Sequence, residues 1–377
     1  MNIGILKEDV SVERRVALSP AGVEVLSAAG HNVFVLHQDG SRAIYRDEDY
    51  QIAGATISYS AEEIINRSEI VLKVSPPIEL ELNMLGEGQT SFSFLHLAVS
   101  RRKILEMLLD KKVTAIGFEL IEDHNGDLAV LQVMSEIAGQ LAIQAGAHYL
   151  QARQGGRGTL LGSIPGIPPA NVVILGAGTV GRTAARVALG MGASVTVLDR
   201  DLTRLREIEH LFQWKISTSM ATSYHIARAV RFADVVIGAV LLKGEKAPHL
   251  ITEAMVKEMK PGSVIIDASI DQGGCVETSR PTTIEDPVFI LHGVVHYCVP
   301  NMPAVVARTA TMGLTNALLP YVQEVGEMGM VNALRQNPGL GRGVCTFGGY
   351  CTNEAIARVF DFKAKSLSSL ISESENS

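Results

Sequence analysis

The chain has 377 residues, 47% of them hydrophobic and 19% charged, with a net charge of −7. That length suits two domains with sizeable cores at roughly 150 residues each. The acidic balance, with no basic cluster longer than Arg101-Arg102-Lys103, argues against nucleic acid or an anionic membrane as partner.

In chain order, "MNIGILKEDV" runs straight into a strand and reads as no signal peptide. Apolar stretches are broken by charge or glycine well before ~20 residues, so nothing is expected to span a bilayer. Strands are expected at Ile3–Leu6, Asn32–Leu36, Ile70–Val74, Ser91–Leu95, Thr114–Phe118, Val172–Leu175, Ser194–Leu198, Val235–Gly238, Val264–Asp267 and Val288–Leu291. Helical patterns lie between them, such as "PAGVEVLSAAG", where Pro20 suits a first turn and Gly30 a stop. This βαβα alternation predicts an α/β chain with parallel sheets covered on both faces.

Several charged residues fall at strand ends. "ERRVALSP" puts Arg14 and Arg15 after the first strand, where an arginine suits bidentate capture of a carboxylate, although most such arginines are solvated. "IVLKVSPP" places Lys73 inside an apolar strand, which is costly unless the ammonium is paired or faces a cleft. "SFSFLHLAVS" reads as a buried strand holding His96. By itself that stretch fits a core histidine bonded to a neighbour, and an imidazole there also suits proton transfer.

The amphipathic "MSEIAGQLAIQAGAHYLQARQ", residues 134–154, and the Gly/Pro-rich "GGRGTLLGSIPGIPPA" mark a boundary. Beyond it, "NVVILGAGTVGRTAARVALGMGASVTVLDRD" sets Gly176, Gly178 and Gly181 as GxGxxG between a strand and a helix. The glycines serve a tight turn, close approach of backbone to a pyrophosphate, and helix–strand packing, while the helix offers its N-terminal amides to phosphate. A second strand ends at Asp199, whose carboxylate can accept from a ribose 2′-hydroxyl and repels a 2′-phosphate, so NAD is expected rather than NADP.

Further on, "ASIDQGGCVETSRPTT" puts Asp271 just past a strand, as an Asx-turn residue or a loop carboxylate within reach of a nicotinamide. His124 reads as an exposed turn, Trp214 as a packing residue, and His292 and His296 follow a strand, so no metal site is expected. The cysteines Cys275, Cys298, Cys345 and Cys351 are scattered and read as free thiols in a reducing cytoplasm. After about residue 303 the pattern is helical again, and the serine-rich tail "KAKSLSSLISESENS" reads as disordered.

With these pieces in place, the chain resembles the alanine dehydrogenases, a family shared with the α subunit of proton-translocating transhydrogenase. The resemblance runs from residue 1 to about 355 and rests on "RVALSPAGV", "LKV", "FLHLA", "MSEIAG", "QGGRG", "GAGTVG", "ADVVIGAVL", "MKPGSVIIDASIDQGGCVETSRPTT" and "YCVPNMPA". It implies two Rossmann-like doubly wound domains: a discontinuous substrate domain (1–130 and 304–377) and an inserted NAD domain (131–303). It further implies Arg15 as carboxylate clamp, His96 as acid/base and Asp271 as second catalytic residue, with Lys73 and Ser75 at the substrate. The implied NAD contacts are Ser135, Gly176, Ala177, Gly178, Thr179, Val180, Gly181, Asp199, Arg204, Val240, Leu241, Ile270 and Asn301. Hydride transfer in the interdomain cleft would interconvert L-alanine with pyruvate and ammonium in a cytoplasmic homohexamer. One departure stands out. The family typically reads "KVKEP", and here "KVSPP" puts Ser75 where a second substrate lysine would be. The alternatives are therefore another small amino acid or oxo acid as substrate, or a transhydrogenase-like NAD-binding subunit.

Overall fold

The computed structural model describes residues 1–37, 44–243 and 245–374. Along it run the strands β1 (Asn2–Ile5), β2 (Asn32–Leu36), β3 (Thr56–Ser58), β4 (Ile70–Leu72), β5 (Thr90–Ser93), β6 (Thr114–Gly117), β7 (Asn171–Leu175), β8 (Ser194–Asp199), β9 (Ser217–Met220), β10 (Val235–Gly238), β11 (Val264–Asp267), β12 (Val288–Leu291), β13 (Val294–Tyr297), β14 (Val344–Phe347) and β15 (Tyr350–Cys351). The chain forms two compact units. The first takes the described residues of Met1–Met134, Lys243–Glu245 and Ala304–Ser377; the second takes Ser135–Leu242 and Lys246–Pro303.

The sheet of the first unit has the order β15-β14-β6-β5-β4-β1-β2-β3. From β3 to β6 every pairing is parallel, so the order reads 3-2-1-4-5-6 and reverses between β1 and β4. In a doubly wound sheet the connections on either side of such a reversal leave in opposite directions and open a crevice at the carboxyl ends of the strands. Short strands buried on both faces, such as β4 with Ile70, Val71 and Leu72, are what a parallel sheet covered by helices requires. The helix Ala307–Met328 returns to this unit from the far end of the chain. Its buried Thr311 and Thr315 hydroxyls accept from the Val16 and Ser19 amides at 3.1 and 2.8 Å, pinning the segment that follows β1.

The second sheet has the order β12-β13-β11-β10-β7-β8-β9. Its parallel strands β7 to β11 and β13 again read 3-2-1-4-5-6, with the reversal between β7 and β10, and β12 closes the edge antiparallel to β13. Two α/β doubly wound sheets therefore make up the chain.

The structure departs from the sequence reading in several places. β5 stops at Ser93; His96 has φ 43° and ψ 40°, and Leu97–Val99 is a 3₁₀ turn, so "SFSFLHLAVS" is only partly strand. The boundary helix runs Ala129–Tyr149 rather than 134–154. Two hairpins add to the expected elements: β12–β13 turns on His292 (φ 52°) and Gly293 (φ 76°), and β14–β15 on Gly348 (φ 55°) and Gly349 (φ 85°). Positive φ at both central residues is what a tight two-residue hairpin asks for. The segment expected to be disordered is helical over Leu367–Ser374, because Leu370 and Ile371 bury an apolar face; residues 375–377 lie outside the described residues. Trp214 is not a packing residue: it is 67% exposed at the end of a helix, edge-on to His210.

Candidate active site

In the first unit the carboxyl ends of β1, β4, β5 and β6 carry a set of buried charges. Arg15, in the segment after β1, is 2% exposed, and Glu13 beside it is 1% exposed. Glu13 accepts from Arg15 Nε at 2.8 Å and Nη2 at 2.6 Å, a bidentate pair, and from the Arg15 amide at 2.9 Å. A buried charge is tolerable only with such pairing. Nη1 lies on the other edge of the fork and meets only a weak acceptor, the Met134 sulfur, at 3.3 Å.

Lys73, expected to need a partner or a cleft, has a partner: both Glu81 oxygens accept from its Nζ at 2.8 Å. Glu8, just past β1, reaches across the reversal of strand order. It accepts from the Val74 amide at 2.5 Å and from the Ser75 amide at 3.3 Å. Burial pushes its carboxyl up from the ordinary 4.5 to about 7, with Glu13 adding to the rise, although Lys73, the Val74 amide and the Ser75 side chain pull it down.

Phe94 links the clamp to the histidine. The Arg15 guanidinium sits over its ring, 5.4 Å from the centroid, and the half-buried His96 ring is stacked on it at 5.9 Å and 10°. A left-handed backbone at a non-glycine residue is strained and persists only when the surroundings impose it. Glu119, after β6, does so here, accepting from the His96 amide at 2.7 Å and the Leu95 amide at 3.2 Å. Arg14 is exposed and bonds back to the Val10 carbonyl.

In the second unit the glycine loop lies at the end of β7, beside the reversal. Gly176 has φ 109°, and a Cβ there would fall 2.2 Å from the Ala239 carbonyl oxygen; at Gly181 it would fall 1.9 Å from the Gly176 carbonyl oxygen. Gly178 differs, since nothing lies within 4 Å of its missing side chain. It precedes the helix Thr179–Gly190, whose first amides no side chain caps. This open cradle at a helix N-terminus fits a dinucleotide pyrophosphate. Asp199 ends β8 and braces the loop, accepting from the Ala177 amide at 2.7 Å and the Asp201 amide at 2.8 Å. Val240 follows β10 and is held by Ser269 Oγ at 2.9 Å, with Leu241 exposed beside it and Ile270 buried after β11. Asp271 accepts from the amide of Asn301, which is itself left-handed (φ 53°), at 3.0 Å. Arg204 is exposed and ion-paired with Asp201 at 3.8 Å, while Ser135 is half-buried on the helix Ala129–Tyr149.

The first unit thus brings together Arg15, Lys73, Ser75 and His96, and the second brings together the glycine loop, Asp199, Val240, Ile270, Asp271 and Asn301. Sequence reasoning missed the carboxylates that organise the first group: Glu8, Glu13, Glu81 and Glu119. No local pattern marks them, because each partner is reached through the fold or a turn. Among the described residues, no group of three or more His, Cys, Asp or Glu is placed to hold a metal ion, and no helix is long and apolar enough to cross a membrane. All four cysteines are buried, and burial holds the Cys275 and Cys345 thiols well above their usual range.

Comparison with known proteins agrees with this geometry. The family models described as "Alanine dehydrogenase/PNT, N-terminal domain" and "Alanine dehydrogenase/PNT, C-terminal domain" match residues 4–138 and 142–354. The alanine dehydrogenase of Methanococcus maripaludis is 46% identical over 362 residues, 96% of this chain and 97% of the relative. A solved L-alanine dehydrogenase is 43% identical with a TM-score of 0.87, covering 96% of this chain and 99% of its own. A transhydrogenase from Sinorhizobium meliloti, 23% identical over 94% of this chain and 100% of its own, shares the fold at a TM-score of 0.77. Both domain models match in sequence order and together take in almost the whole chain, so it belongs to the alanine dehydrogenase/PNT family.

Proposed function

We propose that this chain is an NAD-dependent alanine dehydrogenase, interconverting L-alanine and NAD with pyruvate, ammonium and NADH. The observation that carries the reading is the contact chain Arg15–Phe94–His96, which sets a carboxylate clamp and a proton carrier against one aromatic ring. In this reading the first unit is the substrate domain and the second the NAD domain.

When bound, NAD supplies the hydride acceptor; Ser135, the loop Gly176–Gly181, Asp199, Arg204, Val240, Leu241, Ile270 and Asn301 would hold it. The chain's own residues do the rest. Arg15 offers the Nη1 edge left over from Glu13 to the substrate carboxylate, with Lys73 and Ser75 beside it. The His96 imidazole takes a proton from the substrate ammonium and passes it to solvent; as the neutral ring again, it takes one from the water that adds to the iminium carbon. It returns a proton to nitrogen as the carbinolamine expels ammonia. Asp271, as a carboxylate, hydrogen-bonds the carbinolamine and favours the cationic imine. No metal enters these steps.

A homohexamer in the cytoplasm completes the proposal; the four free cysteines support a reducing compartment. The test is NADH oxidation with pyruvate plus ammonium, set against a panel of other oxo acids and amines. Turnover led by pyruvate is the expected result. A different preferred oxo acid would reassign the substrate, and no turnover with any would remove the enzyme reading.

A further inference from the structure

We infer that Glu8 is the proton-holding residue of the carboxylate subsite, so that the substrate anion enters together with a proton on Glu8. The inference rests on the alanine dehydrogenase reading and on a charge count within the first unit. Two cations face this end of the sheet, and each is already matched: Arg15 by Glu13 and Lys73 by Glu81. Glu8 is a third carboxylate, 6% exposed, with amides rather than a cation as its hydrogen-bond partners. Apart from Glu119, which is held by the His96 and Leu95 amides, two positive against three negative groups leave the subsite one charge negative before any substrate arrives. An incoming carboxylate makes that two, in surroundings where water screens little.

Neither Arg15 nor Lys73 can relieve this, because both are already charged. Ser75, whose amide lies 3.3 Å from both Glu8 oxygens, carries no charge. Asp9, which also faces the Lys73 charge, is exposed and turned to Ser11, where water screens it. Of the three carboxylates in this count, Glu8 is the one without a cation as hydrogen-bond partner, and burial brings its titration to about 7. A bound carboxylate nearby raises its proton affinity further, and by linkage the anion then binds more tightly where Glu8 is protonated. Glu8 is thus a positioning and specificity residue, holding the Lys73–Ser75 turn and setting the charge the substrate meets.

The test is calorimetric binding of oxamate, an isostere of pyruvate, to the NADH-loaded protein in buffers of different ionisation enthalpy. Near pH 8 the wild type is expected to take up close to one more proton than Glu8→Gln. From pH 6 to 8 it should lose about tenfold more oxamate affinity than that variant, one proton held at about 7 being worth roughly that ratio. His96 is present in both proteins, so the difference isolates Glu8. Ser75→Lys, which places an ammonium beside Glu8, should abolish the same uptake and carries the test if Glu8→Gln does not fold. Equal uptake in wild type and variant overturns the inference. Pyruvate turnover with equal uptake would sink Glu8 alone, whereas no oxamate binding and no turnover would remove the proposed activity and this inference with it.

Discussion

Glu119 holds His96 by its backbone: Oε1 lies 2.7 Å from the His96 amide and Oε2 3.2 Å from that of Leu95, fixing a left-handed residue at the end of a strand. Hydrogen bonds to a charged acceptor contribute about 1.5–3 kcal/mol each, and ~1.4 kcal/mol is a factor of ten. Glu119→Ala should therefore lower kcat/KM by roughly 100-fold, with Glu119→Gln between the two, since its amide nitrogen faces an N–H. Steady-state kinetics with pyruvate and ammonium check this; an unchanged rate would mean that His96 keeps its geometry without Glu119.

Arg15→Lys should raise the pyruvate KM by at least tenfold and leave kcat less affected. A lysine cannot bind Glu13 through two parallel bonds and still present a second edge to a carboxylate. Equal losses in kcat and KM would instead point to a role in the reacting geometry.

The two glycines of the NAD loop should respond differently. Gly181→Ala puts a Cβ 1.9 Å from the Gly176 carbonyl oxygen, a backbone atom with little freedom to move, so loss of folded protein is expected. Gly178→Ala meets nothing within 4 Å and should leave the melting temperature within a degree or two. It fills the space proposed for pyrophosphate, so NADH affinity measured by fluorescence should fall about tenfold or more. Intact NADH affinity in Gly178→Ala would place the phosphates elsewhere.

Glu8 also makes stability depend on pH. Folding raises its carboxyl from 4.5 to about 7, so the folded chain holds this proton more tightly than the unfolded chain does. The stabilisation is full below about 4.5 and is lost as pH rises through about 7. At ~1.4 kcal/mol for each tenfold change, the loss amounts to roughly 3 kcal/mol at most. Glu8→Gln, whose amide stays neutral, should be the more stable protein above pH 7 in urea melts and lose that advantage near pH 5. Parallel profiles for the two proteins would contradict this.

Removing residues 367–377 should lower stability, because Leu370 and Ile371 are each 5% exposed and a buried aliphatic side chain contributes ~1.5–3 kcal/mol. Thermal melts of the truncated and full chains make the comparison, and coincident melts would show that the terminal helix is not needed.

Much of this protein was legible in its residues alone. Apolar runs of four or five residues separated by helical patterns announced parallel α/β sheets, since only strands covered on both faces lack alternation. The glycine loop and Asp199 were legible because their chemistry is local: strand, turn and helix follow one another within a single βαβ unit. The two-residue hairpin at Gly348-Gly349 is written locally too, in two adjacent glycines that can both take positive φ. Ser75 was visible as a missing charge.

The tertiary structure alone decided how the charges at the first sheet are matched. Glu8 meets Val74 and Ser75 across the point where the strand order reverses, and Glu119 meets His96 from the turn after the neighbouring strand. Neither partner can be read from spacing, because parallel neighbours are joined through a helix and their register is set by packing. For the same reason, the residues that could bear substrate chemistry were identifiable one by one, while the carboxylates that hold and neutralise them appeared only once the strands stood side by side.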